Sequence, residues 1–249
     1  MSMAAAEPIL EVKNLTRHFL GLKAVNGVSF ALRRGEILGL IGPNGAGKTT
    51  LINLISGTLL ADAGELRFEG QRIERLSPPR RAHLGISRTF QVMKPFPRLS
   101  VLENVTVGAL FGFGGGERNR NAARERAREV LDFTGLIHRI DQHADQLGGP
   151  DRKRLELAKA LAMRPKVLLL DEVMAGLTHT EIDEVVAIIQ KIRAAGVSIL
   201  VIEHVMRAIR SLSDRILVLH HGEAIAEGEP DRVLTDPRVV EAYLGKRRA

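Results

Sequence analysis

Residues 42–49 constrain the fold of this chain more than any other segment. They read Gly-Pro-Asn-Gly-Ala-Gly-Lys-Thr and fit the phosphate-binding pattern G-x-x-x-x-G-K-[ST] at every fixed position. Glycines let a backbone turn tightly enough for its N–H groups to point at phosphate oxygens. We expect Lys48 to reach the β- and γ-phosphates and the Thr49 hydroxyl to hold Mg²⁺. The predicted phosphate-binding residues are Gly42, Asn44, Gly45, Ala46, Gly47, Lys48, Thr49 and Thr50.

The residues on either side agree with this motif. Residues 36–41 are predicted to form a buried strand, and residues 50–55 a helix. A helix that begins at the loop turns the positive end of its dipole toward a bound anion. The sequence therefore predicts a strand, a loop and a helix that together bind a nucleoside triphosphate.

Composition limits the remaining possibilities. The chain has 249 residues, of which 45% are hydrophobic, so it can form one large domain or two small ones. It has no cysteine, which excludes disulfides and thiolate metal sites. The net charge of +7 permits contact with nucleic acid or acidic lipid, but aromatic residues make up only 4% of the chain, which is poor material for stacking bases. With no signal-peptide pattern and no apolar run long enough to span a bilayer, we expect a soluble or peripheral protein.

The order of predicted elements is mixed at first and then alternates. Early strands are predicted at residues 9–13, 27–32, 65–69 and 86–91. Pro78-Pro79, Pro95 and Pro97 are expected to break the middle of the chain into turns. Residues 100–163 then read as mainly helical, beginning with a capping box of Ser100 and Glu103. Strands at 167–170, 197–202 and 215–219 follow, with a helix between the first two, which favours a mostly parallel sheet covered on both faces.

Two carboxylates follow the predicted strand at 167–170. Asp171 should lie at the carboxyl end of that strand, beside the phosphate-binding loop, and hold Mg²⁺ through water. Glu172 is placed to polarise an attacking water. This pattern is typical of a nucleotide-hydrolysing P-loop enzyme.

Three further residues complete an order and spacing by which the chain resembles the ATP-binding cassette (ABC) ATPases over nearly its whole length. Gln91 matches the family's Q-loop glutamine, which senses Mg²⁺ and the attacking water. His204 matches the switch histidine that contacts the γ-phosphate, and Phe19 the aromatic residue that stacks on adenine. The resemblance implies an α/β fold with a RecA-like parallel core, an antiparallel β subdomain and a helical insert. It also implies ATP and Mg²⁺ as cofactors, Glu172, His204 and Gln91 as catalytic residues, and Thr49, Gln91 and Asp171 as metal-binding residues.

The chain departs from the family at its signature, L-S-G-G-Q. The matching register is residues 147–151, where Gly148 replaces the serine and Pro150 the second glycine. The resemblance implies that Gly148 and Gly149 contact the ATP held by a second subunit. Loss of one charge-assisted hydrogen bond to phosphate costs on the order of 1.5–3 kcal/mol. A second departure is Thr178, where many members have aspartate.

A narrower resemblance is to the ATPase subunits of branched-chain amino-acid importers, a group that also serves related amino acids, amides and urea. It is carried by residues 171–178, 202–206 and 241–245. It implies a dimer of nucleotide-binding subunits, identical or not, that works with integral membrane permease subunits and, indirectly, a solute-binding protein. The expected location is peripheral, on the cytoplasmic face of the inner membrane, and no nucleic acid is expected as a partner.

The domain organisation expected from this resemblance is one ABC ATPase domain over residues 7–249. Residues 7–91 and 164–228 form the ATP-binding core, residues 92–163 the Q-loop and helical subdomain, and residues 229–249 a helical tail. Two alternatives stay open: a soluble ABC ATPase that acts on nucleic acid or ribosomes, and a nucleotide-sensing partner that does not hydrolyse ATP. A P-loop GTPase is disfavoured because the guanine-reading N-K-x-D is missing.

Overall fold

A six-stranded sheet lies at the centre of the computed structural model, which describes residues 8–90 and 95–244. Its strand order is β10-β9-β3-β8-β7-β6, and all neighbours are parallel except the edge pair β9 and β10. The strands are β3 (Ile37–Ile41), β6 (Ile86–Arg88), β7 (Val167–Asp171), β8 (Ser198–Ile202), β9 (Arg215–His220) and β10 (Glu223–Gly228). The predicted mostly parallel sheet is confirmed.

Burial explains why the inner strands are parallel. Every residue of β3, β7 and β8 is buried, which is the pattern of strands covered on both faces. One face packs against α1 (Lys48–Ser56), and the other against α6 (His179–Ala194) and α7 (Met206–Leu212). The carboxyl ends of these strands therefore meet at one edge, where the phosphate-binding loop leaves β3.

A second, antiparallel sheet lies over α1 with strand order β2-β1-β4-β5. Its strands are β1 (Pro8–Phe19), β2 (Leu22–Arg33), β4 (Ala63–Phe68) and β5 (Gln71–Arg72). A two-residue turn with positive φ at Leu20 (44°) and Gly21 (88°) joins β1 to β2. This hairpin brings Phe19, the last residue of β1, to the rim of the sheet.

Three helices lie between β6 and β7 in the chain: α3 (Val101–Leu110), α4 (Arg120–Phe133) and α5 (Gly149–Ala162). The predicted capping box is confirmed, because Ser100 accepts from the Glu103 N–H while the Glu103 carboxylate accepts from the Ser100 N–H. Two short helices, α8 (Pro230–Leu234) and α9 (Pro237–Leu244), close the described chain. Among the described residues, no helix combines the length and apolar character needed to cross a bilayer.

The expected turn at Pro78-Pro79 is wrong. These prolines begin α2 (Pro78–Leu84), with Ser77 as the N-cap. Proline lacks an N–H and has a fixed φ, so it suits the first turn of a helix, where no intrahelical bond is lost. The predicted strand over 86–91 is also too long, since β6 ends at Arg88.

Candidate active site

The phosphate-binding loop joins β3 to α1 through backbone that only glycine fits. Gly42, Gly45 and Gly47 have φ of 152°, 77° and 103°. A Cβ on Gly42 would lie 2.1 Å from the Leu219 carbonyl oxygen, and one on Gly47 would lie 2.2 Å from the Ala24 carbonyl oxygen. Neighbouring backbone thus packs directly against the loop, and a side chain at either position would displace it.

Lys48 is buried at the start of α1, and its ammonium group closes the loop. Its Nζ donates to the carbonyl oxygens of Gly42 at 2.6 Å and Pro43 at 3.0 Å. Burial lowers the pKa of Lys48, while the charges of Glu172 and Asp171 oppose that shift. One cation and two carboxylates therefore share this edge of the sheet.

A pocket of about 340 Å³ lies beside the loop. Phe19 is at its rim with 38% of the residue exposed, and the Arg17 guanidinium lies 4.9 Å from its ring centroid. The remaining lining residues are Leu22, Lys23, Ala24, Gly45, Ala46, Gly47, Lys48, Thr49, Thr50 and His221. Gly42 and Asn44, which were predicted to bind phosphate, do not line this pocket.

Asp171 ends β7 with only 1% of its surface exposed. Its Oδ2 lies 3.5 Å from a guanidinium nitrogen of Arg88, and its backbone N–H donates to the Thr89 hydroxyl at 3.2 Å. Burial raises the pKa of Asp171, with Arg88 and Lys48 acting against that rise and Glu172 adding to it. Its Oδ1 is buried and finds no hydrogen-bond partner among the residues that the structure describes.

That Oδ1 fits a cation or a water bound to one. The described residues contain no group of three His, Asp or Glu side chains that could enclose a metal ion. Mg²⁺ is commonly held by one or two protein oxygens together with waters and substrate phosphates, so a closed cage is not needed. Asp171 and the exposed hydroxyl of Thr49 suit such a site.

Glu172 and His204 meet at the ends of adjacent parallel strands. Glu172 follows β7, and its backbone N–H donates to the Ile202 carbonyl oxygen at the end of β8. Its φ of 53° is in the left-handed region, which redirects the chain as it leaves the strand. Its Oε1 lies 2.6 Å from His204 Nε2, so the two side chains share a hydrogen bond.

Of the other residues singled out in the sequence, the structure describes Gly148, Gly149 and Thr178. Gly148 is the N-cap of α5 and Gly149 its first residue, and neither lines the pocket beside the loop. Gln91 lies outside the described residues. Thr178, the second departure from the family pattern, is the N-cap of α6 and forms a capping box with Glu181.

The sequence did not point to three side chains that organise this edge. Arg88 donates to Asn53 Oδ1 at 2.7 Å as well as contacting Asp171. Glu203, 1% exposed, accepts from the Met174 N–H at 2.7 Å, and burial raises its pKa to about 7. Lys153 of α5 donates to the carbonyl oxygens of Ala175 and, at 3.4 Å, Glu172. The sequence offered one signal for Glu203: it is a charged residue directly before His204, a predicted catalytic position.

The fold and the site together define a P-loop ATPase: a parallel sheet with a glycine-rich loop, a buried lysine and an Asp-Glu pair at its carboxyl edge. The family profile described as "ABC transporter" matches residues 25–175, and the profile "Branched-chain amino acid ATP-binding cassette transporter" matches residues 225–249. The chain belongs to the ABC transporter family, as an ATP-hydrolysing subunit.

Curated relatives and solved structures agree with this assignment. The chain is 36% identical to the high-affinity branched-chain amino acid transport ATP-binding protein BraF of Pseudomonas aeruginosa, over 97% of this chain and 99% of that protein. It is 38% identical to the probable branched-chain amino acid transport ATP-binding protein LivG of Archaeoglobus fulgidus, over 95% of each chain. A crystal structure of an ABC transporter cassette in its ADP conformation superposes with a TM-score of 0.87 at 35% identity, covering 97% of this chain and all of that one. The expected fold class is confirmed.

Proposed function

We propose that this chain powers an importer for branched-chain or related amino acids. The observation that carries the ATP-hydrolysing part of this proposal is the 2.6 Å hydrogen bond between Glu172 Oε1 and His204 Nε2, one residue from the buried Asp171. It holds a carboxylate beside the phosphate-binding loop, where a general base is needed. The solute class rests on the relatives, which are named as branched-chain amino acid transport proteins over nearly their full length.

The proposed division of labour is supported by where the described residues lie and, for Gln91, by the family resemblance alone. Backbone N–H groups of residues 44–49 and the Lys48 ammonium bind the β- and γ-phosphates, and the Phe19 ring packs on the base. Glu172 takes a proton from the attacking water, and His204 orients that carboxylate and contacts the γ-phosphate. Gln91 is proposed to sense the metal and the water, as in the family it resembles. Catalysis then consists mainly of positioning and charge neutralisation.

Thr49, Asp171 and Gln91 are the proposed residues for Mg²⁺. The ion, when bound, neutralises charge on the β- and γ-phosphate oxygens. Asp171 suits this role because Arg88 fixes one of its oxygens and leaves Oδ1 available.

We propose that two nucleotide-binding subunits close on ATP, with the amino end of α5 capping the phosphate held by the other subunit. Pro150 lies in the first turn of that helix, where its missing N–H breaks no intrahelical bond. The helix end and the backbone at Gly148 and Gly149 supply the remaining positive potential. A dimeric cassette structure with bound ADP and phosphate, 26% identical over 89% of this chain with a TM-score of 0.80, supports the pairing of two such subunits.

A permease subunit is proposed to dock in an apolar groove between the end of β6 and the carboxyl end of α3. Two adjoining cavities of about 370 and 230 Å³ share Arg88, Phe90, Phe111 and Met163 as lining residues. Phe111 is 63% exposed, and a short cytoplasmic helix of a permease is the occupant that membership of this family favours. Phe96 is also exposed. The ATPase subunit would then lie on the cytoplasmic face of the membrane.

The test is ATP-driven uptake after the chain is co-purified with its permease subunits and placed in vesicles together with its solute-binding protein. Uptake of labelled leucine should exceed that of glutamate and urea and should disappear in Lys48→Ala. Phe111→Asp should abolish co-purification while ATP affinity stays unchanged, and Glu125→Gln, on the exposed face of α4, is the control. ATP hydrolysis without uptake of any of the three solutes would contradict the importer assignment.

A further inference from the structure

His221 lies in the nucleotide pocket, yet no motif assigns it a role. It is an exposed residue of the turn between β9 and β10, and it lines the same pocket as Phe19 and the phosphate-binding loop. The centroid of its ring lies 4.0 Å from that of His220, so the preceding residue supports the imidazole.

The backbone conformation of this turn does not require histidine. His221 and Gly222 have φ of 50° and 80°, and the strands pair from His220 and Glu223, so this is a two-residue hairpin. Such turns favour asparagine, aspartate or glycine at the first position, because both residues adopt positive φ. Histidine is tolerated in the left-handed region but is not the residue that this turn prefers. Its presence here points to a use for the side chain.

Backbone contacts fix the turn against the phosphate-binding loop and the start of β2. The Gly222 N–H donates to the Ala46 carbonyl oxygen at 3.0 Å, and the Asn26 N–H donates to the Gly222 carbonyl oxygen at 2.8 Å. A Cβ on Gly222 would lie 2.6 Å from the Lys23 carbonyl oxygen. Lys23 is the second residue of β2, which pairs with the Phe19 end of β1, so the turn is held against that hairpin and the loop together.

We propose that the His221 imidazole contacts the nucleoside part of the bound nucleotide and contributes to its affinity. Phe19 supplies an apolar face for the base, and His221 adds a ring nitrogen that can donate to or accept from a ribose hydroxyl or a base edge. The triphosphate is bound by loop amides and Lys48, which His221 does not replace. This inference rests on the proposed nucleotide site.

The test compares binding of MgATP and Mg-tripolyphosphate to the purified full-length chain by titration calorimetry. His221→Gly removes the imidazole and keeps the turn, because glycine readily adopts positive φ. One lost hydrogen bond should weaken MgATP binding about three- to tenfold. Tripolyphosphate binding should be unchanged, since it has no nucleoside. His138→Ala, an exposed histidine outside the pocket, is the control and should bind both ligands like wild type.

Three results would contradict these proposals. Equal MgATP affinity in His221→Gly and wild type, or an equal loss for MgATP and tripolyphosphate, would overturn the role of His221. Failure of the wild-type chain to bind MgATP would instead overturn the proposed nucleotide site. An unchanged thermal midpoint in His221→Gly shows that the comparison is made between folded proteins.

Discussion

Glu172 Oε1 and His204 Nε2 lie 2.6 Å apart, at the carboxyl ends of adjacent parallel strands. The Glu172 N–H is fixed to the Ile202 carbonyl, two residues before His204, so backbone pairing holds the two side chains in register. The sheet thus positions both the proposed base and the residue proposed to orient it. The orientation of the Glu172 carboxylate therefore depends on its hydrogen bond to His204.

Replacement of His204 should therefore impair chemistry more than binding. His204→Ala removes the hydrogen bond that orients Glu172, and we expect kcat for ATP hydrolysis to fall about 100-fold, the lower range for a general base effect. ATP affinity should change by less than about threefold, because Lys48 and the loop amides are unaffected. A phosphate-release assay and a binding titration measure the two quantities, with His138→Ala as the control. An equal loss in affinity and kcat would show that His204 acts in binding.

The sequence predicted this edge of the sheet because its residues lie in local motifs. Residues 42–49 are contiguous, and Asp171 and Glu172 follow a strand that reads as a continuous apolar run. Phe19 and His204 were found by order and spacing, since each alone fits many environments.

Residues whose role depends on distant partners were missed. Arg81, 1% exposed, reaches from α2 to the carbonyl oxygens of Leu54 and Ile55 in the last turn of α1. Nothing in its local sequence distinguishes it from a surface arginine, because these two acceptors lie 27 and 26 residues away in the chain. The exposed strand β10 was missed for a related reason: it lacks an apolar pattern and is defined by pairing with β9.

Glu203 should make stability depend on pH. Burial raises its pKa from the ordinary value of 4.5 to about 7. Between these values the folded state holds a proton that the unfolded state has released, so this group makes stability fall as pH rises from 4.5 to 7. The loss is at most about 3 kcal/mol, from the size of the pKa shift.

Glu203→Gln has no proton to lose and should be spared this effect. Urea unfolding at pH 5 and pH 8 would measure the free energy of unfolding of each protein. We expect the wild type to lose roughly 2 kcal/mol more than the variant over that interval, with Glu125→Gln behaving like wild type. Parallel pH dependence in the wild type and Glu203→Gln would contradict a raised pKa for Glu203.

Gly148→Ser should raise ATPase activity by restoring the hydroxyl of the family signature. The structure has room for it: φ is −66°, and a Cβ would meet only Pro150 Cδ, at 4.0 Å. Serine is also a good N-cap, and relative to glycine it should stabilise α5 by a few tenths of a kcal/mol. Hydrolysis rates and thermal unfolding separate the two effects. Greater stability with an unchanged rate would mean that the hydroxyl is dispensable for hydrolysis.

The role of Glu172 as general base can be measured as ATP hydrolysis by Glu172→Gln, together with the size of the ATP complex by gel filtration. We predict a rate at least about 100-fold below wild type, because glutamine cannot take the proton from water, with ATP bound in a stable dimer. Hydrolysis at the wild-type rate would contradict the assignment of Glu172 as the base, and an ATP-bound monomer would contradict closure of two identical subunits on the nucleotide.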